Sequence, residues 1–206
     1  MTRPRPPEPL LDPAGAARPF VAAPELEAWL RATFIDEGGF LENPEHAHLQ
    51  SARIGVLWAG IPNKARGAVV VGQAEIPTPS GTPWSVGRRD QQLAEWFGLV
   101  PHFVVIFDAA YWAEIDDATA CALAEHELLH CAQAADAFGS PRFSPLTGEP
   151  IWTIRPHDVQ EFVGVVARYG AGAAAGRTAA LVEAANAGPT IARASISAAC
   201  GTCRGA

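Results

Sequence analysis

The chain has 206 residues, 49% of them hydrophobic, and a formal net charge of −7. This is enough for one sizeable core, and the acidic balance argues against nucleic acid as the main partner, because phosphate binding relies on clustered Lys and Arg. No apolar run reaches the length of a signal-peptide core or a transmembrane helix, so no membrane association is expected and the expected compartment is the cytoplasm.

In chain order, residues 1–20 are dense in Pro, Ala and Arg and read as a flexible arm. Pro24 to Phe34 follows as a helix, with Leu26, Trp29, Leu30 and Phe34 at helical spacing, then a Gly-containing loop and a short helical pattern ending at Leu49. Ala52–Trp58, Gly67–Ile76 and His102–Phe107 are rich in Val, Ile and aromatics and bounded by turn formers, so they read as strands of a small sheet. The intervening 77–101 segment carries Pro77, Pro79, Gly81, Pro83 and Gly87 and then a short pattern from Asp90 to Phe97. It is either a lid or a long connection.

Ala118 to Phe138 has no Gly or Pro and reads as one helix, capped by Asp116 or Asp117 and stopped by Gly139. Ser140–Pro156 reads as a hairpin turning at Thr147–Pro150. A second helix then runs from Asp158 to Tyr169, with Asp158 and Glu161 in the D-x-x-E form of a capping box. Residues 21–170 therefore make the expected main domain. Residues 171–206 form an Ala/Gly-rich tail with a short helix at Thr178–Asn186 and a Cys200-x-x-Cys203 pair. One CxxC is half of a zinc ribbon, and without a second it reads as two thiols in a loose tail. Cys121 and Cys131 lie ten residues apart on the expected helix, about 15 Å along its axis, which is too far for a disulfide.

His126-Glu127-Leu128-Leu129-His130 constrains the chemistry most tightly. Positions four apart on a helix share one face, so both imidazoles can reach one metal ion while Glu127 is placed to hold a water. The segment is apolar nearly all round, and burying two imidazoles and a carboxylate without partners is costly. Zinc would supply the partner, and an open catalytic site needs a third protein ligand. His157 is the favoured candidate because capping already accounts for Glu161, which remains the alternative ligand. His46, His48 and His102 read more simply as surface or core histidines. Arg155, Tyr111 and Tyr169 are unranked candidates for stabilising an oxyanion.

The succession HLQSARIGVLWAG, GAVVVGQAEI, HFVVIFDAAYWAEIDDATACALAEHELLHCAQ and RPHDVQEFVGVVARYG resembles the putative phage metallopeptidase family, similar in layout to SprT-like zinc proteases. The resemblance covers roughly residues 40–170. It implies a zincin-like α+β fold with a sheet of three or more strands packed on the HExxH helix, and a Zn2+ cofactor held by His126, His130 and His157. It further implies hydrolysis of a peptide or protein by a metal-activated water with Glu127 as general base, in a host cell. Two other readings stay open: a binding or assembly protein with a closed or metal-free site, and a zinc hydrolase of a non-peptide substrate.

Overall fold

A computed structural model describes residues 2–12, 19–65, 68–78, 80–159, 163–171, 176–194 and 199–202. In chain order the elements are a 3-10 turn at Glu8–Leu10, β1 (Phe20–Ala22), α1 (Pro24–Leu30) continuing through a π-helical turn at Arg31–Ile35, and a 3-10 stretch at Pro44–Ser51. Next come β2 (Ile54–Ala59), β3 (Asn63–Ala65), β4 (Ala68–Glu75), α2 (Pro83–Phe97), β5 (Phe103–Asp108), α3 (Ala109–Glu114) and α4 (Asp117–His130). β6 (Cys131–Gln133), β7 (Trp152–Ile154), α5 (Val163–Tyr169), α6 (Arg177–Ala187) and β8 (Ala199–Cys200) complete the series.

The expected α+β character holds, and the strands read from composition form the centre of a larger mixed sheet. Its order is β1-β2-β5-β4-β3, with β8 also paired to β4. β2 and β5 run parallel, and β8 runs parallel to β4, while the other pairs are antiparallel. All of β2 is buried because both faces of the sheet are covered. Ile54, Val56 and Trp58, with Phe103, Val105 and Phe107, face a core shared with α1, Trp112 of α3, and Leu123, Ala124 and Leu128 of α4. Leu57 and Val104 face the other way, onto Leu93, Trp96 and Phe97 of α2. Burying each such large apolar side chain stabilises the fold by about 1.5–3 kcal/mol.

Three expectations need correcting. The 77–101 segment is mostly α2, because Thr82 accepts from the Ser85 N–H as N-cap and Pro83 occupies the first turn, where its missing N–H costs nothing. The helix expected to reach Phe138 ends at His130. Cys131–Gln133 leaves it to pair antiparallel with Trp152–Ile154, so sheet pairing overrides a run of good helix formers. The hairpin thus begins earlier than expected, although its turn still falls near Gly148, which has φ 72°.

Residues 2–12, expected in a flexible arm, are docked. The Arg3 guanidinium donates to Trp112 O at 3.3 Å and Ile115 O at 2.9 Å, and Arg5 donates to Ala113 O at 2.7 Å. These are the carbonyls that the end of α3 leaves without helical partners. Trp112 Nε1 donates in return to Pro4 O at 3.0 Å, and the buried Leu10 joins the core. Arg3→Ala is expected to strip donors from these carbonyls and lower unfolding free energy by about 1–3 kcal/mol, read by urea titration. A change within error would show that the docked segment adds nothing to stability.

Candidate functional site

Asp116, by accepting from the Thr119 N–H at 2.7 Å, caps the start of α4 and fixes which residues its last turn presents. At that last turn His126 Nε2 lies 3.3 Å from His130 Nε2. His157, on the loop after β7, brings its Nε2 to 3.1 Å from His126 Nε2. The structure therefore brings together the three histidines singled out in the sequence. It adds Cys200, whose Sγ is 3.2 Å from His130 Nε2. The four ligand atoms all lie within 4.8 Å of one another, a group that could hold a metal ion.

The donor chemistry fits zinc. A tetrahedron with arms of about 2.0–2.1 Å has edges of about 3.3–3.4 Å, close to the 3.1–3.3 Å between His126 and His130, His126 and His157, and His130 and Cys200. The imidazole orientations agree. His130 Nδ1 is 2.6 Å from Arg155 O, which makes that nitrogen the N–H donor and leaves the Nε2 lone pair facing the centre. Lone pairs converging at this range repel one another unless a cation or proton lies among them.

The position of His157 follows from the hairpin. The Arg155 N–H donates to His130 O at 2.9 Å, and Arg155 O meets the His130 ring, so strand pairing and ligand orientation are joined at one residue. The Arg155 guanidinium is held by Glu45 at 2.9 Å and Asp158 at 3.0 Å. Asp158 is thus engaged by Arg155, and the described part of the next helix is Val163–Tyr169; the first turn of the expected capping box lies outside the described residues. Trp152 anchors β7 to the sheet, its ring 5.5 Å from that of Phe103. An open pocket of about 290 Å³ lies beside the histidines, lined also by Arg155, Pro156, Asp158 and Leu181.

Glu127 is fully buried between α4 and β4. Its Oε2 accepts from Thr202 Oγ1 at 3.0 Å, while Oε1 has no hydrogen-bond partner among the described residues. Burial first, then the Cys200 charge, push its carboxyl up to about 7. Burial opposes ionisation of Cys200 too, but hydrogen bonds from His126, His130 and Thr202 outweigh it and bring the thiol down to about 4. The helix approaches β4 so closely only because residue 72 is glycine. A Cβ there would sit 2.5 Å from Glu127 Oε1.

The other candidates separate clearly. His48 Nε2 is 2.8 Å from Cys131 O, and His102 Nδ1 accepts from the Arg53 N–H at 3.1 Å, both roles in holding backbone. His46 is buried, and neither ring nitrogen has a partner among the described residues. Tyr111 packs against the main core, whereas Arg155 lines the pocket. The alternative ligand Glu161, the Tyr169 side chain and Cys203 lie outside the described residues. Sequence reasoning missed Cys200, Thr202 and Gly72. Only the CxxC spacing carried a signal for the first.

A family model described as putative phage metallopeptidase matches residues 27–186, which include His126, Glu127, His130 and His157 but not Cys200. The chain belongs to that family. No curated protein and no solved structure matched it. Among the described residues of this family member, no helix is long and apolar enough to cross a membrane.

Two predictions follow from the burial at this site and beside it. Gly72→Ala is expected to lower unfolding free energy by about 1–3 kcal/mol, because the added methyl meets the Glu127 carboxylate at the helix–strand contact. Equal urea midpoints for the two proteins would contradict that packing. Burial, then the neighbouring His48, lower the His46 pKa from 6.5 to about 4. Between those values the unfolded chain binds a proton that the folded chain refuses, so this stability is complete above pH 6.5 and is lost as pH falls towards 4. His46→Leu should therefore flatten the acid side of the stability profile, measured on chelator-treated protein so that metal release does not contribute. Parallel profiles would show that His46 titrates normally.

Proposed function

We propose that this family member is a zinc-dependent peptidase of zincin type with a SprT-like layout, acting on a peptide or protein substrate. The single observation carrying this reading is the convergence of three imidazoles, two from the HExxH turn and one from the following hairpin, beside a buried carboxylate. His126, His130 and His157 would hold the zinc, which when bound would supply Lewis acidity to a water and to a scissile carbonyl. Glu127 takes the proton from the attacking water and passes it to the leaving nitrogen. His130, pinned through Nδ1 by Arg155 O, keeps its Nε2 lone pair on the ion throughout. Arg155, which lines the pocket beside the histidines, would assist a developing oxyanion once a substrate competes with Glu45 and Asp158 for its guanidinium. The free thiols Cys121, Cys131 and Cys200 fit a reducing cytoplasm, and peptide cleavage in a host cell is the setting we infer.

A second reading has one specific observation in its favour. Cys200 completes a His3Cys set, and closed four-ligand zinc sites are structural. The two readings part in the Cys200→Ala protein, which opens the fourth position. A peptidase then cleaves an unfolded protein substrate, and adding Glu127→Gln retains zinc but reduces turnover by about 10²–10⁴-fold. Zinc content by elemental analysis and peptide release by mass spectrometry are the measurements. Equal turnover with and without the Glu127→Gln change would remove the proposed base. Absence of hydrolysis in the zinc-loaded Cys200→Ala protein would favour the structural reading.

A further inference from the structure

β8 brings several blocking contacts into the site within four residues. Cys200 Sγ stands among the imidazole nitrogens, 3.2 Å from His130 Nε2. Thr202 Oγ1 accepts from the Ala74 N–H at 2.7 Å and donates to Glu127 Oε2 at 3.0 Å, so its one hydroxyl proton is directed at the carboxylate. Along the backbone, Ala199 and Cys200 pair with Val70 and Gly72 of β4, and the Gly201 N–H donates to Gly72 O at 2.9 Å. These contacts fill the ligand position that hydrolysis needs for water, cover the carboxylate that would take its proton, and close the strand edge to which an extended chain would add.

We propose that Ala199–Thr202 is a built-in inhibitory segment that keeps the metal centre latent, with Cys200 as a displaceable fourth ligand, and that an extended polypeptide pairing with the edge of β4 must dislodge it. The proposal rests on the peptidase reading above. A ligand that served only to close a structural site would have no need of a neighbour on the Glu127 carboxylate, yet Thr202 is placed there. The hold is also small: a two-residue ladder with an irregularity between Val70 and Gly72. The family match, which contains the three histidines and Glu127, ends at residue 186, before this segment. Displacement exchanges one ligand and requires no oxidant or reductant.

The test uses the full chain loaded with zinc for turnover and with cobalt(II) for spectroscopy. Cys200→Ala removes the thiol. Gly201→Val leaves Cys200 and Glu127 intact but wedges the segment outwards, because a Cβ at residue 201 would lie 2.7 Å from Gln73 Oε1 and Val70 Cγ1. The wild-type cobalt form should show a near-ultraviolet thiolate-to-cobalt charge-transfer band, absent from Cys200→Ala and weakened in Gly201→Val, with metal content equal in all three. Turnover of an unfolded protein should rise by about tenfold or more in both variants, as the competent fraction grows, and vanish when Glu127→Gln is added. A wild type without the band, or with turnover equal to both variants, overturns the inhibitory role; the peptidase reading survives if Glu127→Gln still abolishes activity. A band in the wild type with metal lost from both variants overturns it in favour of a structural ligand. Metal retained everywhere with no turnover in any protein removes the peptidase reading itself.

Discussion

Two reciprocal hydrogen bonds between His130 and Arg155 join the end of α4 to the hairpin that follows, and the geometry of the site descends from that junction. The Arg155 N–H satisfies the His130 carbonyl, one of those a helix end leaves open, while the Arg155 carbonyl fixes the tautomer and tilt of the His130 ring. His157 follows two residues later, within reach of the same centre. A helix continuing to Phe138 would have carried this pairing away. The early end of α4 is therefore tied to the chemistry.

The sheet supplies the second constraint. β4 lies under α4, and residue 72 carries no side chain, so the carboxylate of Glu127 sits directly on the strand that β8 also joins. Glu127 and the histidine turn are thereby held against β4 by one contact between helix and sheet, which suits a site whose groups must keep fixed separations. The aromatic core behind it is equally ordered, with Trp112 in contact with Trp29, Trp58 and Phe107 at centroid distances of 6.1, 5.4 and 4.9 Å.

Local patterns carried the legible part of this molecule. The i, i+4 spacing placed His126 and His130 on one face, β-branched runs located β2, β4 and β5, and His157 was favoured because a capping box accounted for Glu161. Long-range pairings were hidden. Nothing within Cys131–Gln133 announces a strand, since its helix propensity is overridden by β7, twenty residues on. Pro83 and Gly87 disguised α2 as a loop, although Pro is favourable in a first helical turn. Arg3 and Arg5 read as solvated because their acceptors, the carbonyls at the end of α3, lie more than a hundred residues away. Cys200 was obscured for the same reason, its imidazole neighbour being His130, seventy residues earlier.

Charge balance explains why a thiol, rather than any other tail group, suits the place it occupies. Three neutral imidazoles around a divalent cation would leave two positive charges beside the buried Glu127, and an uncompensated charge in such surroundings is costly. One thiolate and the Glu127 carboxylate together offset both. A serine at residue 200 would offer a far weaker anion and leave one charge to be met by solvent. On the proposed reading the cysteine would hold a metal-loaded centre neutral while the segment is seated. On that reading its departure would leave one positive charge to stabilise the negative charge that develops on a substrate carbonyl.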